Sequence, residues 1–463
     1  MKTRRTILVL LTLLFVVRAG AAEDAKPNIL FIAIDDLRPE LGCYGDTVVK
    51  SPHIDKLAAE SMVFDRAYCS VAVCGASRAS LMTGILPTKN RYIDFLAKVD
   101  EDTPNAVTMP QVFKDAGYFT KANGKVFHTA TDTAERSWSR PARRVGDADS
   151  EESESAAPAA RKKGGKGAKL FFDDADVPDN AYGDGIVAEQ TIADLRELKE
   201  SGKPFFLACG FIRPHLPFIA PKKYWDLYDE ATLPIADNRF KPEDAPDALH
   251  GSGEFKTYSL GKFRPASEAF HRKMRHGYFA STSYSDKLTG DVLNELERLG
   301  LAENTIVILW GDHGWHLGEH NFWGKHNTMH NALRIPLIVK VPGKMQGKSG
   351  SLIQSVDIFP TLCSLAGLEV PKSVQGHSFV ELLSAPDKKI NEAVYARFKE
   401  ADAVVTDQFT YSRYSNGEEM MYDLQKDPKE NRNIVGNPEY ASTLKFMREE
   451  LHRRIKLAES AAF

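Results

Sequence analysis

Six apolar residues in an unbroken run, Ile29-Leu30-Phe31-Ile32-Ala33-Ile34, lead straight into two aspartates, Asp35 and Asp36. A continuous, β-branched run of this kind reads as a strand covered on both faces, as in a parallel sheet with helices on either side. The pattern recurs. Pro204 to Gly210 is a second run leading into Arg213-Pro214-His215, Thr305 to Trp310 is a third ending in Gly311-Asp312-His313-Gly314, and Arg334 to Lys340 is a fourth. Extended segments are also expected at Val63 to Tyr68 and Tyr118 to Ala122. Helices are expected from Ser51-Pro52, from Met109 to Gly117, from Asp184 to Leu198, from Arg272 to Leu299 and from Asp357. The order predicts an α/β fold, a doubly wound, mostly parallel sheet flanked by helices.

The chain has 463 residues, which suits two or three domains or one large α/β domain with an appendage. The texture changes near residue 388. Short alternating strands at Ala393 to Phe398, Asp402 to Thr406, Phe409 to Tyr414 and Met420 to Leu424 precede a helix from Pro438 to about Leu457. We therefore expect a catalytic α/β domain over 23–387 and a smaller C-terminal α+β subdomain with an antiparallel sheet over 388–463. Residues 141–169 are acids, serines and alanines followed by Arg161-Lys162-Lys163-Gly164-Gly165-Lys166, too poor in apolar side chains to offset the entropy of ordering. They read as a flexible insertion.

At the N-terminus, Lys2, Arg4 and Arg5 precede the apolar run Ile7 to Val17 and the small residues Ala19-Gly20-Ala21-Ala22, so 1–22 reads as an export signal. Arg4-Arg5 also resembles a twin-arginine signal, which leaves the route open. Removing Lys2, Arg4, Arg5 and Arg18 takes the formal charge from −3 to −7, with 56 bases against 63 acids. A mildly acidic mature chain argues against nucleic acid as a partner, and no other segment reaches membrane-spanning length. A periplasmic or secreted location is expected. The odd number of cysteines, five, leaves at least one unpaired in an exported chain, and Cys74 is the candidate.

If the strands before Asp35-Asp36, His215 and Asp312-His313 are parallel neighbours, three carboxylates and a histidine meet where such sheets bind ligands. Buried carboxylates repel unless a cation sits among them. Mostly oxygen donors with one nitrogen favour Ca²⁺ over Mg²⁺. Zinc is the competing reading, because His313, His316, His320, His326 and His330 are dense, although Gly314 and Gly318 disfavour a regular helix there. Cys74-Gly75-Ala76-Ser77-Arg78 places a nucleophile-capable side chain near a helix start and a fixed positive charge, an anion-friendly position; the bland alternative is a small buried thiol.

Several motifs carry a family resemblance. They are Ile34-Asp35-Asp36-Leu37-Arg38-Pro39, Gly42-Cys43-Tyr44-Gly45-Asp46, the Cys74 to Gly84 block, and Gly124-Lys125-Val126-Phe127-His128. Arg213-Pro214-His215-Leu216-Pro217-Phe218, Asp312 to His320 and Trp323-Gly324-Lys325 complete the set. In these motifs the chain resembles the type I, formylglycine-dependent sulfatases of the alkaline-phosphatase-like superfamily, most of all the iduronate-2-sulfatase branch. The resemblance implies that a maturation enzyme oxidises Cys74 to formylglycine, whose hydrate is the nucleophile. It further implies that Asp35, Asp36, residue 74, Asp312 and His313 hold Ca²⁺ and that Arg78 and Lys125 steady the charged oxygens. His215 and Lys325 would serve the departing sugar oxygen and His128 would take a proton.

The commonest maturation motif has proline where Ala76 stands, and alanine occurs there in some members. Arg91 and Trp315 match positions that the branch uses to hold a uronate carboxylate and ring, and a carboxylate-binding basic group is expected near Arg397 or Lys399, where Ala401 to Thr406 match poorly. The expected activity is hydrolysis of a sulfate ester on a sulfated saccharide, most plainly a 2-O-sulfated uronate. The alternatives are a phosphatase or phosphonate hydrolase on the same fold and a catalytically idle sulfated-glycan-binding relative.

Overall fold

The computed structural model describes residues 26–143 and 170–463; the expected signal and nearly all of the expected insertion lie outside them. In chain order the main strands are β1 (Asn28–Ile34), β2 (Met62–Tyr68), β3 (Phe119–Gly124), β4 (Phe205–Phe211), β5 (Thr305–Gly311), β6 (Arg334–Ile335), β7 (Leu337–Lys340) and β8 (Gly347–Gln354). They form one sheet in the order β6-β2-β7-β5-β1-β4-β3, with β8 beside β2. β1 lies parallel between β4 and β5, and β3 runs parallel to β4. β7 runs antiparallel to both β2 and β5. The sheet is therefore mixed but mostly parallel. The apolar run from Arg334 is not one strand: Pro336 has no N–H to donate and separates β6 from β7.

Both faces of β1 are covered, which is why its sequence does not alternate. Ile29, Phe31 and Ala33 enter one core with Phe64, Met82, Phe206 and Phe359, whereas Leu30, Ile32 and Ile34 enter the other with Leu207, Phe211, Tyr278 and Leu309. The first face is packed by helices α2 (Cys74–Thr83), α3 (Met109–Asp115) and α6 (Ile358–Ala366). The second is packed by α1 (Pro52–Ala59), α4 (Gly183–Ser201) and the 31-residue α5 (Glu268–Arg298). α1 starts on Pro52, and its first free amides, those of His53 and Ile54, are bound by the Asp286 carboxylate of α5.

Beyond the sheet, β9 (Ala393–Phe398), β10 (Ala401–Thr406), β11 (Phe409–Tyr414) and β12 (Glu419–Asp423) make a sequential antiparallel sheet. Helix α7 (Ala441–Glu459) packs its Leu444, Met447 and Leu451 on Tyr395, Val404 and Tyr411 of that sheet. β9 also reaches the large domain, where Arg397 N–H donates to the Ser70 carbonyl. Among the described residues no helix is long and apolar enough to cross a membrane.

Candidate active site

Three adjacent parallel strands end together. Register pairs Ile34 of β1 with Phe211 of β4 and with Gly311 of β5, so the residues that follow, Asp35-Asp36, Ile212 to His215 and Asp312-His313, emerge at one edge. Asp36 has φ 59°, in the left-handed region, and its N–H is bound by Asp312 Oδ1 at 3.1 Å. Such a conformation costs a non-glycine residue about 1–3 kcal/mol and persists where surrounding contacts enforce it. The Tyr278 hydroxyl of α5 adds to the restraint by donating to the Asp36 carbonyl at 2.7 Å.

Helix α2 brings Cys74 to this edge. All ten of its residues are buried, and it starts at Cys74 without a side-chain cap, so the positive end of the helix lies beside the thiol. Ser77 Oγ donates to the Asp312 carbonyl at 2.5 Å. Arg78, fully buried, places Nε and Nη2 on Asp312 Oδ2, each at 2.9 Å, and gives Nη1 to the carbonyls of Lys125 and Val126. Gly124, with φ 72°, ends β3 against the Gly210 carbonyl with no room for a Cβ, and the turn delivers Lys125 to Asp35 in a buried ion pair. Three residues after Lys125 in the same loop, His128 Nδ1 is 3.3 Å from Cys74 Sγ.

The other wall comes from two loops. Asp184 at the start of α4 accepts from the N–H groups of Ile212 and Arg213, fixing the turn before His215. The short hairpin His316–Leu317 with Trp323–Gly324 then returns Lys325 to the edge, with Nζ 2.9 Å from Asp36 Oδ1. His215 Nδ1 lies 2.5 Å from the Leu216 carbonyl, and its Nε2 lies 3.0 Å from Glu254 Oε1 and 4.0 Å from Asp36 Oδ2. Both ring nitrogens face acceptors, which favours the charged form of the ring. Its pKa moves up to about 10 because Asp36, Glu254 and Asp35 outweigh burial and Lys325.

Ligand atoms of Asp35, Asp36, Asp312 and His313 lie within 4.8 Å of one another, and so do those of Asp35, Cys74 and His313; all five residues are buried. Burial, then Asp35, raises the Asp312 carboxyl to about 7, and burial raises Asp36 as well. Asp35 Oδ1 and His313 Nε2 are buried without a hydrogen-bond partner. Three clustered carboxylates, two of which resist ionising, with unmatched donor atoms among them, fit a divalent cation. Of the five histidines considered for zinc, only His313 joins such a group among the described residues. His316 bonds Asn327, His320 bonds the Lys429 carbonyl, and His326 bonds Ser252.

Cys74 differs from the other cysteines. Burial pushes Cys43, Cys209 and Cys363 up to about 12 and Cys69 upward as well. Burial acts on Cys74 too, but Lys125 and His128 outweigh it and hold the thiol well below its ordinary value.

A curated relative, the iduronate 2-sulfatase of Mus musculus, is 37% identical over 407 residues, covering 79% of this chain and 73% of that protein. The sulfatase family profile matches residues 27–368, and the profile for the C-terminal part of N-sulphoglucosamine sulphohydrolase matches 318–457. The chain belongs to the sulfatase family. It is a type I sulfatase close to the iduronate-2-sulfatase branch, an enzyme of the sulfuric ester hydrolase type. The family implies a formylglycine and a metal ion, which the buried cluster around Cys74 accommodates. Among solved structures, the phosphonate monoester hydrolase of Silicibacter pomeroyi matches with a TM-score of 0.77 at 22% identity, covering 93% of this chain and 95% of that one. A structure described as a 2-O GAG sulfatase matches with a TM-score of 0.73 at 24% identity, covering 94% and 93%. These two likenesses show the alkaline-phosphatase-like sulfatase fold.

The two expected sugar contacts are placed differently from the rest. Arg91 directs Nε and Nη2 to the Leu86 carbonyl and Nη2 also to the Ala458 carbonyl at the end of α7. Nε and Nη2 of this buried side chain are committed to tying two backbone segments together, which leaves them unavailable to a carboxylate. Trp315 is at the site but fully buried, with Lys325 Nζ 4.7 Å from its ring centre, and so supports the lysine instead of offering a face to a sugar. Arg397 likewise pairs with Asp402 and the Lys399 carbonyl. One member of this sulfatase site had no signal in the sequence. Glu254 stands in a single turn, Glu254–Thr257, without apolar periodicity or motif, and lies 2.8 Å from Lys325 Nζ as well as 3.0 Å from His215.

Proposed function

We propose that this chain is an exported sulfatase acting on a sulfated saccharide, with a 2-O-sulfated uronate at a non-reducing end as its substrate, and that it works through Ca²⁺ and a formylglycine made from Cys74 by a maturation enzyme. The observation that carries the reading is the buried convergence of Cys74, three aspartates and His313 with the cations Arg78, Lys125, His215 and Lys325. The oxygen-rich donor set supports Ca²⁺. Likeness to iduronate 2-sulfatase supports the uronate, as does an open pocket lined by His250, Ser252, Lys256, His326, Phe398 and Lys399. There the His326 and Phe398 rings stack at 5.1 Å and 5°, and two lysines suit a carboxylate.

A sulfate monoester is anionic and repels nucleophiles, so its charge must be neutralised before sulfur can be attacked. Residue 74, once converted, would supply the nucleophile, and a cation held by Asp35, Asp36, Asp312 and His313 would supply positive charge to screen the sulfate. The chain's own side chains do the rest. Arg78 is pinned by Asp312 and two carbonyls and holds fixed positive charge at the head of α2. Lys125 holds Asp35 ionised: its ammonium outweighs burial, so that carboxyl lies well below the usual range. His128 Nδ1, 3.3 Å from Sγ, is placed to take a proton from the group at position 74. Lys325 supplies a proton to the sugar oxygen as the S–O bond breaks, and the charge of His215 beside it stabilises that oxygen.

Mass spectrometry of the peptide containing residue 74, from active protein, should show the aldehyde; an unmodified cysteine there refutes the formylglycine route. Sulfated di- and oligosaccharides resolved by chromatography should lose a 2-O-sulfate from a terminal uronate, and release only from other positions refutes the sugar assignment. The fold shared with a phosphonate monoester hydrolase supplies the rival, so faster turnover of an aryl phosphate than of the matching aryl sulfate would favour it. N-terminal sequencing of exported protein should begin near Ala22 or Glu23.

A further inference from the structure

We propose that Glu254 is the positioning residue of the leaving-group side: its carboxylate clamps Lys325 beside the charged His215, so that the lysine presents its remaining N–H to the departing oxygen. The inference rests on the sulfatase reading. Glu254 spans the pair, with Oε1 3.0 Å from His215 Nε2 and Oε2 2.8 Å from Lys325 Nζ. Its side chain is 19% exposed, beside a lysine at 2% and a histidine at 16%, so the three are screened from bulk water together.

The turn that carries Glu254 is anchored to the strand end that carries Lys325. Ser252 Oγ accepts from the Glu254 N–H at 3.1 Å and pairs with His326 Nδ1 at 2.8 Å, and His326 follows Lys325 in the chain. Two cations this close repel, and each needs a counter-charge that does not leave when the site is loaded. Asp36 is the other anion within reach, 2.9 Å from Lys325 and 4.0 Å from His215, but it belongs to the metal cluster. Glu254 is in neither metal-capable group. Its charge therefore stays with the two cations, where it keeps Lys325 from turning wholly to Asp36 and holds the His215 ring by the nitrogen opposite its Leu216 contact.

A positioning role on the leaving-group side makes a prediction that a structural role does not. When the S–O bond breaks, an alkoxide-like oxygen needs a proton, whereas an acidic phenol leaves unaided; proton donation is worth roughly 10²–10⁴-fold where it is needed. Metal-loaded, residue-74-converted wild type, Glu254→Gln and Glu254→Asp are compared on aryl sulfates from 4-nitrophenyl to phenyl sulfate and on a sulfated disaccharide. In Glu254→Gln, kcat should fall about 10²-fold on the disaccharide and less than about 3-fold on 4-nitrophenyl sulfate, steepening the dependence of kcat on phenol pKa, with Glu254→Asp in between. An equal fall across the series, with KM and melting temperature changed alike, makes Glu254 structural and overturns the proposal, as does no change at all. A wild type inactive on every sulfate refutes the sulfatase reading instead. Glu254→Gln keeps the size of the side chain; should it fail to fold, the slope for Glu254→Asp decides.

Discussion

Gly75→Ala probes how tightly the helix that carries Cys74 is packed. A Cβ at Gly75 would lie 2.5 Å from the Phe95 carbonyl carbon and closer still to its oxygen, whereas ordinary contact begins near 3.4 Å. One of the two backbones must retreat by about 0.9 Å or more. Helix α2 cannot give, because all ten of its residues are buried. The loop can, since Ile93, Phe95 and Leu96 are 39%, 49% and 60% exposed. The displacement then reaches the chemistry, because the Phe95 ring packs edge-on against His128 at 6.0 Å and His128 touches Cys74. Overpacking of this kind costs about 1–3 kcal/mol. For a chain of this length that is a fall in melting temperature of roughly 1–3 °C. A catalytic group misplaced by about 1 Å costs up to about 10²-fold in rate. The assay is kcat on 4-nitrophenyl sulfate with a thermal melt, and with mass spectrometry to confirm that residue 74 is still converted. Gly436→Ala, where a Cβ meets open space, is the control. A fully converted Gly75→Ala enzyme with wild-type kcat and melting temperature would refute the reasoning.

Lys325→Met should cost about 3–5 kcal/mol of stability, because it strands the Asp36 and Glu254 carboxylates, and should lower kcat on sugar sulfates by about 10²–10⁴-fold; a melt within 1 °C or so of wild type counts against the buried pairing. Removing metal with a chelator should lower the melting temperature more at pH 8 than at pH 5. Asp312 and Asp36 have raised folded-state pKa values, Asp312 to about 7, so the metal-free fold keeps that stabilisation below the unfolded carboxyl range and loses it as pH climbs through about 7. A chelator effect of equal size at both pH values refutes this. Arg91→Lys should cost about 1–3 kcal/mol by breaking the fork onto Leu86 and Ala458, with KM for a sulfated uronate unchanged; a selective rise in that KM would return Arg91 to the substrate.

The strand ends were legible because the signal is local. Ile29 to Ile34, Thr305 to Trp310 and Pro204 to Gly210 are apolar without alternation, as expected of a doubly covered sheet, and each is followed within five residues by its carboxylate or histidine. The reversal of β7 was not legible, since an apolar strand reads the same in either direction and Pro336 marks only where it breaks. Arg91 shows the limit of matching a position to a role: whether a guanidinium faces substrate or backbone depends on what packs beside it, here the end of α7.

What the sequence determined by itself is the set of elements, the α/β class and the residues that can do this chemistry, because periodicity and residue type are properties of a few neighbouring positions. The tertiary structure alone decided which of those residues share a charge environment. Cys74 is a low-pKa thiol and Cys69 is not, although both are buried, because only Cys74 has Lys125 and His128 against it. Trp315 is shielded by Lys325, and Glu254 joins His215 to Lys325 across segments distant in sequence. Coulomb interactions fall with distance in space and are strengthened by burial, and neither quantity is written in the order of residues along the chain.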